Sequence, residues 1–143
     1  MKSILVVCEG NICRSPMAEG LLASALPGVR LHSAGLGALI GQPADDLAIE
    51  LLASRGVDIR AHRARQISRQ MCLESDVVLV MEKEQRRRIE KTYPETCGRV
   101  FRLGEYLDQD VPDPYRQPPE AFRSALSLIE KSIGQWVPRI QRL

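Results

Sequence analysis

The sequence predicts an α/β fold: a three-layer sandwich in which a four-stranded parallel sheet is flanked by helices on both faces. Three observations carry this. Short apolar runs alternate with stretches of helical periodicity, four times along 143 residues. No internal repeat and no linker interrupts that alternation, so residues 1–143 read as a single domain. With 44% apolar residues, the chain is long enough to bury one core and is neither low-complexity nor disordered. Parallel strands joined through helices imply right-handed crossovers.

The elements follow in order. Lys2 to Val7 is a short β-branched run closed by a Gly-Asn turn and reads as a buried strand. Ser15-Pro16 opens a helix, with serine expected as its cap and proline at the first helical position. Met17, Ala18, Leu21, Leu22 and Ala25 form its apolar stripe, and Pro27-Gly28 stops it. Val29 to Ala34 alternates as a second strand, and Gly35, Gly37 and Gly41 make the next stretch a loop. Asp45-Asp46 puts acid in the first turn of a helix carrying Leu47, Ala48, Leu51 and Leu52. Ser68 caps a short helix running to Glu74. Val77 to Met81 is the clearest buried strand, Glu82 to Thr92 a charged helix, and Val100 to Leu103 a short fourth strand. Gly104 to Pro119 is Asp- and Pro-rich without periodicity, and a loop that long in a compact fold is usually functional. Phe122, Ala125, Leu126, Ile129, Ile133 and Trp136 then mark a last helix that Pro138 ends or kinks.

Composition excludes several classes of function. Twenty Lys and Arg against 18 Asp and Glu leave a formal charge of +2, which argues against a broad basic face for nucleic acid. One Trp, three Tyr and two Phe are too few for base-stacking platforms. The longest strongly apolar run, Ile4 to Val7, is too short for a spanning helix or a signal-peptide core, so the protein reads as cytoplasmic, without membrane insertion. Of the four cysteines, Cys72 and Cys97 are isolated and read as small buried hydrophobes. No second ligand pair accompanies Cys8 and Cys13, so neither a zinc site nor structural disulfides are expected.

The chemistry concentrates in Cys8-Glu9-Gly10-Asn11-Ile12-Cys13-Arg14-Ser15, between the first strand and the first helix. In open α/β sheets ligands bind beyond the carboxyl ends of the strands. Backbone N–H groups of a tight loop, aided by a helix N-terminus, make an anion cradle there. Gly10 and Asn11 are residue types that tolerate left-handed backbone. Donors that hold phosphate also stabilise a Cys8 thiolate. Arg14 can grip two phosphate oxygens through its planar fork, and Ser15 can donate to the thiolate as it leaves. Either Cys8 or Arg14 alone would read as an ordinary buried thiol or solvated charge; the spacing and the strand–loop–helix context outweigh that. A thiolate displacing an alkoxide or phenoxide from phosphorus needs a proton donor. Asp113, stiffened by Pro112 and Pro114, is the candidate; desolvation beside bound substrate keeps such an acid protonated. Asp108 and Asp110 lack that framing.

These residues resemble the low-molecular-weight protein tyrosine phosphatases. Cys8 to Ser15 fits their C-x5-R-S signature, Asp113-Pro114-Tyr115 matches their general-acid motif, and the likeness spans essentially the whole chain. Ser33 to Leu39, Ala64 to Ser68 and Met81-Glu82-Lys83 are similar to the bacterial, Wzb-like branch associated with exopolysaccharide or capsule export. The resemblance implies a four-stranded parallel sheet and a phosphatase that uses no cofactor and no metal. It implies Cys8 as nucleophile, Arg14 as phosphate ligand, and Asp113 as the acid that later activates water. It implies Asn11 and Ser33 as braces of the loop, and Leu39 and Tyr115 as flanks of the substrate ring. Glu9, Gly10, Asn11, Ile12, Cys13, Arg14 and Ser15 together form the substrate-binding loop. The implied partners are phosphotyrosine proteins, above all a membrane-bound bacterial tyrosine kinase, met by a monomer.

Glu9 stands where many relatives carry an apolar residue. It is expected to face solvent, with the sharper reading that it tunes preference against acidic peptides. Cys13 is placed to trap an oxidised Cys8 as a reversible disulfide, a pairing that the family associates with protection. Glu82 to Arg88 reads as a solvated helix face, with docking of an acidic kinase tail as the alternative. His32 and His62 read as structural or exposed. Three rival functions are weaker. Arsenate reduction needs a further cysteine pair after the third strand, and Val80 to Lys83 holds none. A phosphotyrosine-binding module would be expected to lose Cys8 or Asp113. A redox sensor would not need Asp113.

Overall fold

The computed structural model describes residues 2–143; Met1, the first residue of the expected domain, lies outside them. The strands are β1 (Ser3–Cys8), β2 (Arg30–Gly35), β3 (Val77–Val80) and β4 (Val100–Arg102). The helices are α1 (Arg14–Ala25), α2 (Asp46–Ala53), α3 (Arg69–Leu73), α4 (Lys83–Thr92) and α5 (Pro119–Gln141). Short 3-10 turns lie at Pro94–Thr96 and Glu105–Leu107.

The sheet is four-stranded with order β2-β1-β3-β4, and every pairing is parallel. The alternation of side chains along β1 sorts the core into two layers. Ile4, Val6 and Cys8 face a cluster with Met17 and Leu22 of α1, Leu52 of α2, and Leu126, Ile129 and Trp136 of α5. Leu5 and Val7 face the other way, onto Ala34, Cys72 of α3, Val78, Val80 and Ile89 of α4. Burial of β1 on both faces explains its continuous apolar run. The chain leaves β1 for β2 on one side and later reaches β3 on the other. The strand order therefore reverses at β1, and Cys8 ends that strand.

Local sequence explains the starts of three helices. Asp45 caps α2 by accepting from the Leu47 N–H at 3.0 Å, and Ser68 caps α3 by accepting from Met71 at 3.2 Å. At the start of α4 the Gln85 side chain accepts from the Glu82 backbone N–H at 3.1 Å and from the Met81 N–H at 2.9 Å.

Four expectations are corrected. Ser15 is not the cap of α1: the cap position is Cys13, which offers no side-chain bond, and Ser15 sits inside the first turn with its hydroxyl engaged elsewhere. Gly10 is not in the left-handed region; Asn11 alone in that loop is, with φ +59°. Cys97 is exposed rather than buried, because it follows the 3-10 turn instead of entering the sheet. Pro138 does not end α5, which runs on to Gln141. Pro138 is exposed, while Ile140 beyond it is buried.

Candidate active site

The loop from Cys8 to Ser15 closes around a network that starts at Asn11. Its amide Nδ2 donates to Ser15 Oγ at 2.7 Å and to Ser33 Oγ at 3.0 Å. Its Oδ1 accepts from the Arg65 backbone N–H at 2.9 Å, and its carbonyl accepts from His62 Nε2 at 2.6 Å. Asn11 is completely buried and is the loop residue held at positive φ, a conformation asparagine adopts more readily than most. Because both hydroxyls accept from the amide, each is left with its proton to give. Ser33 donates to Glu19 at 2.6 Å. Ser15 Oγ lies 2.9 Å from Cys8 Sγ, within reach to donate to a thiolate there. The sulfur thus receives a proton donor from a serine that is itself fixed, an arrangement suited to a thiolate.

Arg14 is only 1% exposed. Its Nη1 donates to the Val111 carbonyl at 2.8 Å and forms an ion pair with Glu82. Its Nη2 lies 3.5 Å from Asp113 Oδ2. Its Nε is buried and has no hydrogen-bond partner among the described residues. A buried guanidinium donor left unpaired is costly, and an anion in the loop would satisfy it. The uncapped first turn of α1 adds free N–H groups at the same place.

One cleft is lined by Cys8, Glu9, Gly10, Ile12, Cys13, Gly37, Leu39, Asp113 and Tyr115. The fold therefore brings together nearly every residue singled out in the sequence. Arg14 and Ser15 lie buried beneath the cleft, and Asn11 and Ser33 brace it. Asp113 stands at the mouth, its side chain 40% exposed, with Oδ1 accepting from the Tyr115 N–H at 3.1 Å. Leu39 and Tyr115 are both exposed at the same mouth. Gly35 allows the end of β2 to touch the loop: a Cβ there would lie 2.7 Å from the Glu9 carbonyl oxygen.

Two side chains take roles that sequence reasoning missed. The run Glu82 to Arg88 is not simply a solvated face. Glu82 holds Arg14, and Arg88 holds Glu9 through a fork of 2.7 and 3.5 Å. Glu9 therefore does not extend freely into solvent. The helical spacing of Glu82, Gln85 and Ile89 was the available signal; it puts one face of that run against the sheet. His62 is structural as expected, but at the loop itself: its Nδ1 faces Glu19 at 3.9 Å while Nε2 donates to Asn11.

Cys13 lies in a small cluster with Ile12, Ala64 and Phe122. Burial, followed by the Asp45 carboxylate, pushes its thiol well above the ordinary cysteine value. Both Cys8 and Cys13 are free thiols. The described residues contain no group of three or more His, Cys, Asp or Glu arranged to hold a metal ion. None of their helices is long and apolar enough to cross a membrane.

Comparison with known proteins agrees with this geometry. The family model for low molecular weight phosphotyrosine protein phosphatases matches residues 3–143. A Ralstonia solanacearum protein named "Probable low molecular weight protein-tyrosine-phosphatase EpsP" is 51% identical over 143 residues, covering 100% of this chain and 99% of that one. The Escherichia coli K12 low molecular weight protein-tyrosine-phosphatase Wzb is 45% identical over 135 residues, covering 94% and 92%. The structure of Vibrio vulnificus Wzb in complex with benzylphosphonate superposes with a TM-score of 0.93 at 40% identity, over 96% of this chain and 98% of that one. With its phosphate-loop signature, its parallel sheet and its near-complete coverage, this chain belongs to the low molecular weight phosphotyrosine protein phosphatases, a family of cysteine-dependent hydrolases.

Proposed function

We propose that the protein hydrolyses protein phosphotyrosine through a phosphocysteine intermediate on Cys8. The observation that carries this reading is the Ser15 hydroxyl, fixed by Asn11 and aimed at Cys8 Sγ from 2.9 Å. In the first step the sulfur attacks phosphorus as the bond to the tyrosyl oxygen breaks, and Asp113 gives its proton to that oxygen. In the second step Asp113 takes a proton from water as the water oxygen attacks phosphorus and the thiolate leaves. Ser15 stabilises the departing sulfur. Arg14 binds the equatorial oxygens through Nε and Nη2 in both steps, while Glu82 and Val111 hold its Nη1.

Leu39 and Tyr115 flank the substrate ring and select a long, flat aryl phosphate. The benzylphosphonate in the Vibrio vulnificus structure supports an aryl ligand. The physiological substrate in this reading is a membrane-bound bacterial tyrosine kinase of exopolysaccharide or capsule production, met in the cytoplasm by a monomeric phosphatase. The relatives EpsP and Wzb support that assignment.

Hydrolysis of a chromogenic aryl phosphate without added metal tests the chemistry. The parent turns over, Cys8→Ser is inactive, and Asp113→Asn slows by about 10²- to 10⁴-fold. A folded, reduced parent with no turnover rejects the mechanism. Comparable turnover of phosphotyrosine and phosphoserine peptides rejects the role of Leu39 and Tyr115.

A further inference from the structure

A second cavity, of about 200 Å³, opens on the α3 side of the sheet and shares no residue with the cleft. Its lining includes Arg30 and His32 from β2, Ser3 and Leu5 from β1, Arg65, and Glu74 just after α3. Ser3 pairs with Arg30 and Leu5 with His32 across the two strands, so the basic groups stand in successive rows. Leu5 is three residues from Cys8, about 10 Å along the strand.

The charges here are unspent. Neither Arg30 nor Arg65 has a carboxylate partner within ion-pair distance among the described residues. Arg30 Nη2 lies 3.4 Å from His32 Nε2. Arg65 uses Nε on the Ser33 carbonyl at 3.3 Å, and neither of its Nη groups makes a hydrogen bond to the described residues. Glu74 receives only Gln70, at 2.8 Å. Two guanidinium groups and an imidazole lining one cavity suit an oxyanion. The lone carboxylate adds selectivity: it accepts a hydrogen bond from an anion that still carries a proton and repels one that does not.

Arg65 also joins this cavity to the catalytic loop. Its backbone N–H holds Asn11 Oδ1, and its side chain holds the carbonyl of Ser33, whose hydroxyl accepts from Asn11. An anion that fixes the Arg65 side chain fixes both braces of the loop.

We propose that this cavity is a second anion site that takes inorganic hydrogen phosphate, and that its occupancy tightens phosphate binding at the catalytic loop through Arg65. The binding claim is independent of the reaction proposed above; only the consequence for turnover rests on it. Phosphate is the product of that reaction, so the coupling would make product retention depend on free phosphate.

The test counts inorganic phosphate bound per chain by calorimetry, with sulfate as the comparison anion. The parent binds two phosphates. Arg30→Ala binds one, and Arg14→Met loses the loop phosphate but keeps the cavity phosphate. Arg30 and Glu74 are exposed, so their variants keep the fold even where Arg14→Met does not. In the parent, sulfate binds the cavity about tenfold more weakly than phosphate, and Glu74→Gln removes that difference. With the cavity filled, the loop binds phosphate about fivefold more tightly, an effect lost in Arg65→Met. One phosphate per chain in the parent overturns the site, as does a second phosphate indifferent to Arg30→Ala. Sulfate and phosphate bound equally by the parent cavity overturn the assignment to hydrogen phosphate. Equal loop affinity with the cavity filled or empty overturns the coupling. Inactivity of the parent with two phosphates bound rejects the phosphatase reading while leaving this one standing.

Discussion

At the scale of single residues, the site depends on groups whose bonding capacity is divided among several partners. Arg14 holds Val111 and Glu82 with Nη1 and keeps Nε free for an anion. A lysine has one nitrogen and cannot serve both sides. Arg14→Lys should therefore lower kcat/KM on the order of 10²- to 10³-fold while the protein stays folded; activity within a few-fold of the parent would contradict the division of roles. The rim pair makes a finer prediction. Arg88 masks the Glu9 carboxylate, so Arg88→Ala should weaken turnover of acidic phosphopeptides by about threefold relative to neutral ones, and Glu9→Leu should favour them. Both effects should fade with added salt. The thiols divide by exposure. Burial pushes Cys72 up to about 11, and Cys13 is raised further, whereas Cys97 is exposed. Alkylation at neutral pH should thus reach Cys97 and spare Cys13 and Cys72, as peptide mapping would record. Cys13 remains the candidate to rescue an oxidised Cys8: peroxide inactivation should be recoverable with dithiol in the parent and not in Cys13→Ser. Its raised pKa makes that closure faster as pH rises.

At the scale of elements, the segment that carries Asp113 is tied down before it reaches the site. Arg102 is 3% exposed and donates to Asp108 at 2.8 Å, to Asp110 at 3.0 Å and to Glu105 at 3.5 Å. Asp110 also accepts from the Lys83 backbone at 3.1 Å, and the Val111 N–H donates to Met81 at 2.9 Å. The acidic residues before Asp113, which in sequence lack proline framing, thus form its anchor. Gly104 makes the turn possible, since a Cβ there would run into the Gln109 carbonyl oxygen. Arg102→Met should release this segment and lower kcat on the order of 10- to 100-fold. The loss should be larger for phenyl phosphate than for nitrophenyl phosphate, because the poorer leaving group needs the acid more. An equal loss on both substrates would mean that Arg102 acts on the fold alone. The hydrogen bond from Arg102 holds the Asp108 carboxyl below its usual value of 3.8. That contribution is present above this value and lost as pH falls below it.

At the scale of the whole molecule, stability comes from two cores divided by the sheet. Leu22 and Leu126 are buried on the α1 and α5 side, and truncating either to Ala should cost about 2–5 kcal/mol in denaturant unfolding. On the opposite side, the Cys72 thiol has a raised pKa in the folded state, so its stabilising effect is complete below 9.0 and lost as pH rises towards about 11. Replacing Cys72 with Ala should flatten that alkaline decline. The sequence by itself determined the order and type of the main elements, the loop from Cys8 to Ser15, and Asp113 as the candidate acid. These rest on local periodicity and on chemistry carried by close neighbours in the chain. Tertiary structure alone decided that Glu82 reaches Arg14 and Arg88 reaches Glu9, that Asn11 rather than Gly10 takes the left-handed turn, and that Cys13 rather than Ser15 stands at the cap position of α1. Those outcomes depend on which groups meet across 68 or 79 residues of chain, and a buried hydroxyl or guanidinium takes its partner from whatever the fold places beside it.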